Sequence, residues 1–383
     1  MTDTNICSDC ISEVNLKQLV KNHNNIDYCN FCKKKGHIID YESDNFYYLI
    51  KALIRYHFDE WEYNHHWGGD SLYKLIENNN FFFNQGNFED PNDLDILTEL
   101  IANFEAYEDY RTGISLYAGY DKDGYQNTLL RALKKEMHPE LLNIEKELKF
   151  QNYFEFENAI IEKLEKFEDI VRISIDNKEI FYRARVGYSK RNYDYLDGHL
   201  EINYVYSPYS NKEISSPPPS KSESGRLNRV GVSFLYCATN EYTAISEIRP
   251  HPGDKVSIGA FQPKEKLIIF DSTKNFLLNY YRNDKLLDEY FLYINSINKL
   301  FQKHIPPSKR DNYSITQLIA DSIRKIGFDG ILFNSSIGKG RNLVVFNPKK
   351  MEYIEKERNI ILVSEVSYKY STLKQSSTVH NKG

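Results

Sequence analysis

Residues 225–250 read GRLNRVGVSFLYCATNEYTAISEIRP, and this stretch decides the fold. Asn228 and Gly231 make a turn, the apolar run 232–237 follows as a buried strand, and Thr239 and Asn240 close it. Asn240 is an N-cap residue, and the apolar spacing behind it predicts a helix to Ile248 that ends in Glu247-Ile248-Arg249. Turn, strand and helix in that order bring Arg226, Tyr236 and Glu247 to one cleft. An arginine suits a diphosphate, an aromatic face suits a flat ring and a carboxylate suits sugar hydroxyls, so the three together fit a nucleotide carrying a ribose. The plainer alternative makes Arg226 and Glu247 a surface ion pair and Tyr236 a core residue.

Working outward, Phe-Tyr-Arg-Ala-Arg at 181–185 is a β-prone run with two arginines. Residues 327–346, GFDGILFNSSIGKGRNLVVF, read as strand, Ser-Ser turn, basic glycine loop and strand. The ordered set resembles the RES domain over residues 178–365, a family named for an arginine, a glutamate and a serine. The pieces that carry the resemblance are Tyr182-Arg183-Ala184, the prolines at 217–219, Gly225-Arg226-x-Asn228, Leu235-Tyr236, the run 243–249 and the run 329–335. Many relatives carry Trp where Leu227 stands. By position Arg183 is the family arginine, Arg226 the second arginine, Tyr236 the aromatic, Glu247 the glutamate and Ser335 the serine. Ser336 follows directly, so the serine is open by one position.

The resemblance implies an α+β fold with an ADP-ribosyltransferase-like mixed sheet and flanking helices, and an activity on NAD. It implies cleavage of the nicotinamide–ribose bond, with phosphate, water or a protein side chain as acceptor. Glu247 would stabilise the oxocarbenium-like ribose, Arg183 and Arg226 would clamp the diphosphate, Tyr236 would pack on nicotinamide or ribose, and Ser335 or Ser336 would hydrogen-bond the ligand. A toxin or antiviral effector restrained by an antitoxin or regulatory protein, and assembled as a homo-oligomer, is the expected setting.

Cys7-x-x-Cys10 and Cys29-x-x-Cys32 are two knuckles at the spacing that lets four thiolates converge on a structural zinc. Cys237 lies in the expected strand as a small buried side chain, and His37 is expected at the surface. Between the knuckles and the RES-like half, the stretches 46–58, 94–104 and 140–167 read as helical. This order of parts resembles proteins in which a HEPN-like helical domain precedes RES. Arg131 and His138 satisfy the Arg-x6-His spacing of a HEPN ribonuclease, with an exposed helix face before Pro139 as the stronger alternative.

The chain has 383 residues, more than the roughly 100–200 of one domain. The expected parts are a zinc knuckle at 1–39, a helical domain at 40–170, a RES domain at 171–368 and a tail at 369–383. A net charge of −5 argues against nucleic acid as a partner, despite Lys33-Lys34-Lys35. No apolar run approaches a membrane span and no signal peptide is evident, so a cytoplasmic protein is expected. Two other function classes compete with the NAD enzyme. One is a zinc-knuckle and HEPN-like nucleic-acid-binding protein or ribonuclease, and the other is an inactive NAD-binding adaptor. The complete set Arg183, Glu247 and Ser335 argues against the adaptor.

Overall fold

A computed structural model of the chain describes residues 4–58, 76, 81–102, 132–194, 203–274, 276–303, 313–367, 370 and 372. Arg131 lies outside the described residues. The architecture is α+β, and the chain forms two compact units. The first comprises residues 1–163, 272–303 and 314–318, and the second comprises 164–271, 304–313 and 319–383. No helix among the described residues is long and apolar enough to cross a membrane.

The first unit opens with a small antiparallel sheet of β1 (Asn5–Cys7), β2 (Ile26–Tyr28) and β3 (Lys35–Asp40), with β3 in the centre. His37 is a half-buried member of β3, paired with Ile26, rather than a surface residue. Helix α1 (Val14–Asn22) connects β1 to β2, and helices α2 (Asp44–His57), α3 (Asp93–Ala102), α4 (Pro139–Glu147) and α5 (Phe154–Glu165) follow β3. In α2, Phe46, Leu49, Ile50, Leu53 and Ile54 form a buried stripe at helical spacing, while Asp44 in the first turn and Arg55 in the last complement the helix dipole. The run 140–167 is not one continuous helix. Asn152 Oδ1 accepts from the Phe154 backbone N–H at 3.2 Å, which starts a second helix after the turn at 148–150.

The segment 272–303 joins this unit, though it lies between two strands of the other. Its longest helix, α6 (Leu292–Gln302), buries Tyr293, Ile297, Leu300 and Phe301. Lys51 meets Asp284 at 2.7 Å, Lys163 meets Glu289 at 3.2 Å, and Lys299 Nζ donates to the Leu133 carbonyl at 2.9 Å.

The second unit is built on one eight-stranded sheet. In space its order is β13 (Met351–Leu362), β9 (Lys255–Pro263), β5 (Phe181–Val186), β8 (Leu235–Ala238), β12 (Arg341–Val345), β11 (Gly330–Asn334), β10 (Leu267–Asp271) and β4 (Arg172–Ile175). Every pairing is antiparallel except β10 with β11, and a parallel pair requires a long crossover, here residues 272–329. A separate hairpin, β6 (Lys190–Asp194) with β7 (Asn203–Ser207), follows β5. One face of the sheet packs Phe181, Leu235, Cys237, Phe261, Leu332 and Leu343 into the main core. The opposite face carries Ala184, Ala238, Val256 and Ile258 against Ala244 of helix α7 (Glu241–Ile248). Strands β5 and β8 pair at only one position, Tyr182 with Ala238, whereas β5 and β9 pair at six successive positions. The sheet therefore parts between β5 and β8.

His138 sits at the N-cap position of α4, buried rather than on an exposed helix face. Its backbone N–H donates to Ser296 Oγ at 2.8 Å, and its ring lies edge-on to Tyr293 at 5.1 Å. Burial, reinforced by the charge of Lys163, pushes its imidazole down to about 4, and burial with Lys134 does the same for His57. In the unfolded chain both rings take up protons near pH 6.5. The unfolded state thus binds more protons across about pH 4 to 6.5, and stability falls as pH falls through that window. Urea unfolding of wild type followed from pH 7.5 to 4 should show this loss, and His138→Phe should make it shallower. A wild type equally stable at pH 7 and pH 4.5 would contradict the buried neutral imidazoles.

Candidate functional site

The parting of β5 and β8 opens a cleft with two lobes in the second unit. The inner lobe, about 250 Å³, is lined from β5 by Tyr182, Arg183 and Ala184, from β8 by Tyr236, Cys237 and Ala238, and from α7 by Ala244, Glu247 and Ile248. Phe333 of β11, Asn342 of β12, Arg226 and Tyr313 complete it. The outer lobe, about 420 Å³, is formed by Pro217, the loop 221–226, Asn228 and Phe234, and it shares Arg183, Arg226, Tyr236 and Tyr313 with the inner one. Together the lobes fall within the roughly 300–1,000 Å³ of small-molecule sites. Arg183, Arg226, Tyr236 and Glu247 thus converge, while Ser335 lies behind Glu247 rather than on the wall.

Arg183 is the element that spans the opening. Strand alternation puts Tyr182 and Ala184 on the α7 face and Arg183 with Phe181 on the other, so Arg183 reaches the cleft only because the strands part. Its Nη1 donates to the Tyr236 carbonyl at 2.9 Å and its Nε to the Ile214 carbonyl at 2.9 Å. The first of these bonds replaces a ladder bond that the parted strands do not make. Burial lowers the guanidinium from its ordinary value, yet an arginine stays charged at neutral pH. No carboxylate among the described residues lies within ion-pair distance of it. A half-buried cation with no carboxylate in reach among the described residues suits an anionic ligand.

Asn228 organises the loop that carries Arg226. Its Nδ2 donates to the carbonyls of Glu223 and Val232, each at 2.9 Å, and its Oδ1 accepts from the Tyr236 hydroxyl at 2.8 Å. The same hydroxyl accepts from the Leu227 N–H at 3.1 Å. Tyr236 is therefore a strut as well as a wall, and burial pushes its phenol above the ordinary range. A Cβ at Gly225 would stand 2.4 Å from Asn228 Oδ1, so the turn admits only glycine there without rearrangement. Arg226 itself lies over the Phe333 ring at 5.9 Å, and Arg229 pairs with the buried Asp321 at 2.7 Å. Arg226 and Glu247 make no ion pair with each other, contrary to the surface-pair alternative. Beneath Arg183, burial pushes the Cys237 thiol up to about 12.

Glu247 is held from two sides. Its Oε1 accepts from Ser335 Oγ at 2.7 Å and from Asn342 Nδ2 at 2.6 Å, and its Oε2 makes no hydrogen bond among the described residues. Ser335, not Ser336, is the serine that reaches the glutamate, and its Oγ also accepts from the Gly338 N–H at 2.8 Å. The 335–340 loop is pressed onto the start of α7. Asn240 Oδ1 caps that helix by accepting from the Thr243 N–H at 2.8 Å, and the Gly340 N–H donates to Thr243 Oγ1 at 3.0 Å. A Cβ at Gly340 would fall 2.4 Å from Asn240 Nδ2, which is why the approach needs glycine. Asn228 and Asn342 are the site residues that sequence reasoning left without a role. The signal for Asn228 was its place in the Gly-Arg-x-Asn turn; Asn342 had none beyond a polar residue at the head of an apolar strand.

In the first unit, Cys7, Cys10, Cys29 and Cys32 are all buried, and their sulfurs lie within 4.8 Å of one another. The Cys7–Cys32 and Cys10–Cys29 sulfur pairs are 3.5 and 3.8 Å apart. Four sulfurs at about 2.3 Å from a tetrahedral zinc would be separated by about 3.8 Å, so the donor set fits that ion. Backbone N–H groups of Cys7 and Phe31 donate to Cys29 Sγ at 3.3 and 3.4 Å, which favours a thiolate there. Hydrogen bonding to Cys10 and Cys7 lowers the Cys29 thiol, whereas hydrogen bonding to Cys29 and Cys7, then burial, raises that of Cys10.

A family model described as RES domain matches residues 199–370. That range contains Arg226, Tyr236, Glu247, Ser335 and Asn342, and it begins after β5, the strand of Arg183. A chain of the M. tuberculosis MbcT-MbcA toxin-antitoxin complex is similar at 13% identity and a TM-score of 0.30, with 53% of this chain and 92% of that chain covered. No curated protein matches the chain. Residues 199–370 of this chain are a RES domain.

Proposed function

We propose that this protein cleaves the nicotinamide–ribose bond of NAD. One observation carries the reading: a carboxylate with one oxygen anchored, and the other making no hydrogen bond among the described residues, lines the same cleft as a half-buried arginine that has no carboxylate partner among the described residues. The two arginines shared by both lobes suit the diphosphate, which directs the nicotinamide riboside to the inner lobe and the adenosine to the outer. Departure of nicotinamide takes the bonding pair of the C1′–N bond and leaves positive charge on the ribose. The Glu247 Oε2 faces that charge as it grows, so it binds the transition state more strongly than the ground state. The acceptor oxygen then adds to C1′ and gives up its proton; with water the product is ADP-ribose, with phosphate its 1-phosphate, with a protein side chain a modified protein.

Loss of NAD harms a cell, so a toxin or antiviral effector restrained by an antitoxin or regulatory protein is the role we infer. A ribonuclease reading gains no support: His138 is buried in the core of the first unit, with its imidazole lowered to about 4. The four-cysteine cluster is assigned a structural zinc, because four protein thiolates close the coordination sphere and leave no open position for chemistry.

Two outcomes follow. Metal analysis should find about one zinc per chain, and replacing Cys7 and Cys10 with Ser should remove it; unchanged zinc in that variant would refute the site. For the cleft, Glu247→Gln should reduce NAD turnover by about a hundredfold or more while NAD affinity holds. Arg226→Ala should weaken NAD binding by about 1.5–3 kcal/mol, the worth of a hydrogen bond to a charged group. Arg183→Ala should also lose stability, since two carbonyls lose their donor. Products identified by mass, with and without phosphate, name the acceptor, and intact NAD under all conditions would reject the proposal.

A further inference from the structure

We propose that Asn342 is a positioning residue for Glu247, acting through the glutamate's anchored oxygen rather than through the ligand. The inference rests on the NAD reading above and assigns part of that site's machinery. Asn342 is held by ladder pairing on both sides of its strand. Its strand β12 lies between β8 and β11, and Asn342 pairs with Ala238 on one side and Phe333 on the other. Paired residues share a face, so Ala238, Phe333 and Asn342 all present themselves toward α7. The small side chain of Ala238 leaves room for the carboxamide to reach the helix.

Asn342 is 6% exposed and donates from Nδ2 to Glu247 Oε1 at 2.6 Å. A carboxylate accepts only, which settles that the carboxamide presents its nitrogen here. Ser335 Oγ supplies the second donor to the same oxygen, and that serine depends on the 335–340 loop for its place. The two donors differ in kind: one comes from a loop and the other from the middle of a sheet. With both donors on Oε1, rotation about the terminal bond of Glu247 is restrained, and Oε2 makes no hydrogen bond among the described residues. Removing Asn342 frees that rotation, and a misplaced catalytic group reduces turnover without touching the bonds that hold the substrate.

The test is a kinetic cycle on the full chain with NAD as the probe. Asn342→Ala should reduce kcat by roughly 10- to 100-fold while the NAD dissociation constant, measured by calorimetry, stays within about twofold. In a Glu247→Gln background the same substitution should cost less than about twofold more, because its effect passes through the carboxylate. A merely structural role would move affinity and melting temperature together and would multiply with Glu247→Gln. Asn342→Leu, which keeps the volume and favours the strand, carries the same test where the alanine variant does not fold. Losses that multiply, or a kcat that stays at the wild-type value in a folded variant, would overturn the assignment. A wild type that leaves NAD intact would instead sink the proposed function, which separates the two failures.

Discussion

The guanidinium of Arg183 bridges the carbonyls of Tyr236 and Ile214 at the point where β5 and β8 cease to pair, and the cleft depends on that bridge. A sheet that parts leaves backbone acceptors without ladder partners, and a buried acceptor without a donor costs about 1–3 kcal/mol. A neutral donor would meet that need at less cost in desolvation. The arginine meets it with a positive charge that has no carboxylate within ion-pair distance among the described residues. Stability alone does not account for that choice, whereas an anionic ligand does.

On the far wall the carboxylate is treated in the opposite way. Glu247 has two donors on one oxygen, and the helix that carries it is pinned by Asn240, Thr243 and the glycines of the 335–340 loop. One wall thus supplies fixed positive charge and the other a fixed acceptor, with the aromatic rings of Tyr236 and Phe333 between them. For the proposed reaction such an arrangement would separate binding from chemistry: the arginines would act on groups that keep their charge throughout, and the carboxylate on charge that appears only as the bond breaks.

Much of this was legible in the residues. The apolar run ending at Cys237, the Asn240 cap and the Glu247 helix come out of local chemistry, and the structure places the strand at Leu235–Ala238 and the helix at Glu241–Ile248. The paired knuckles announced the cysteine cluster because four thiols at that spacing have few other uses. Ser335 and Ser336 could not be told apart, since β11 ends at Asn334 and strand alternation no longer applies beyond it. Contacts between Gly340 and Thr243, far apart in the chain, decide that question. Asn342 escaped notice because a polar residue in a strand usually marks a solvent face. The segment 272–303 lies within the span 171–368 that the sequence assigns to the RES half, yet it packs in the first unit, because apolar periodicity tells that a helix is buried and not which core receives it.

The claim on which everything turns is that NAD lies across the opening between β5 and β8. A crystal structure of Glu247→Gln soaked with NAD tests it most directly. The diphosphate should lie within hydrogen-bonding distance of Arg183 and Arg226, with C1′ of the nicotinamide ribose facing position 247 and the adenosine toward Lys221 and Ser222. NAD bound elsewhere on the chain, or a cleft that stays empty at saturating NAD, would contradict it.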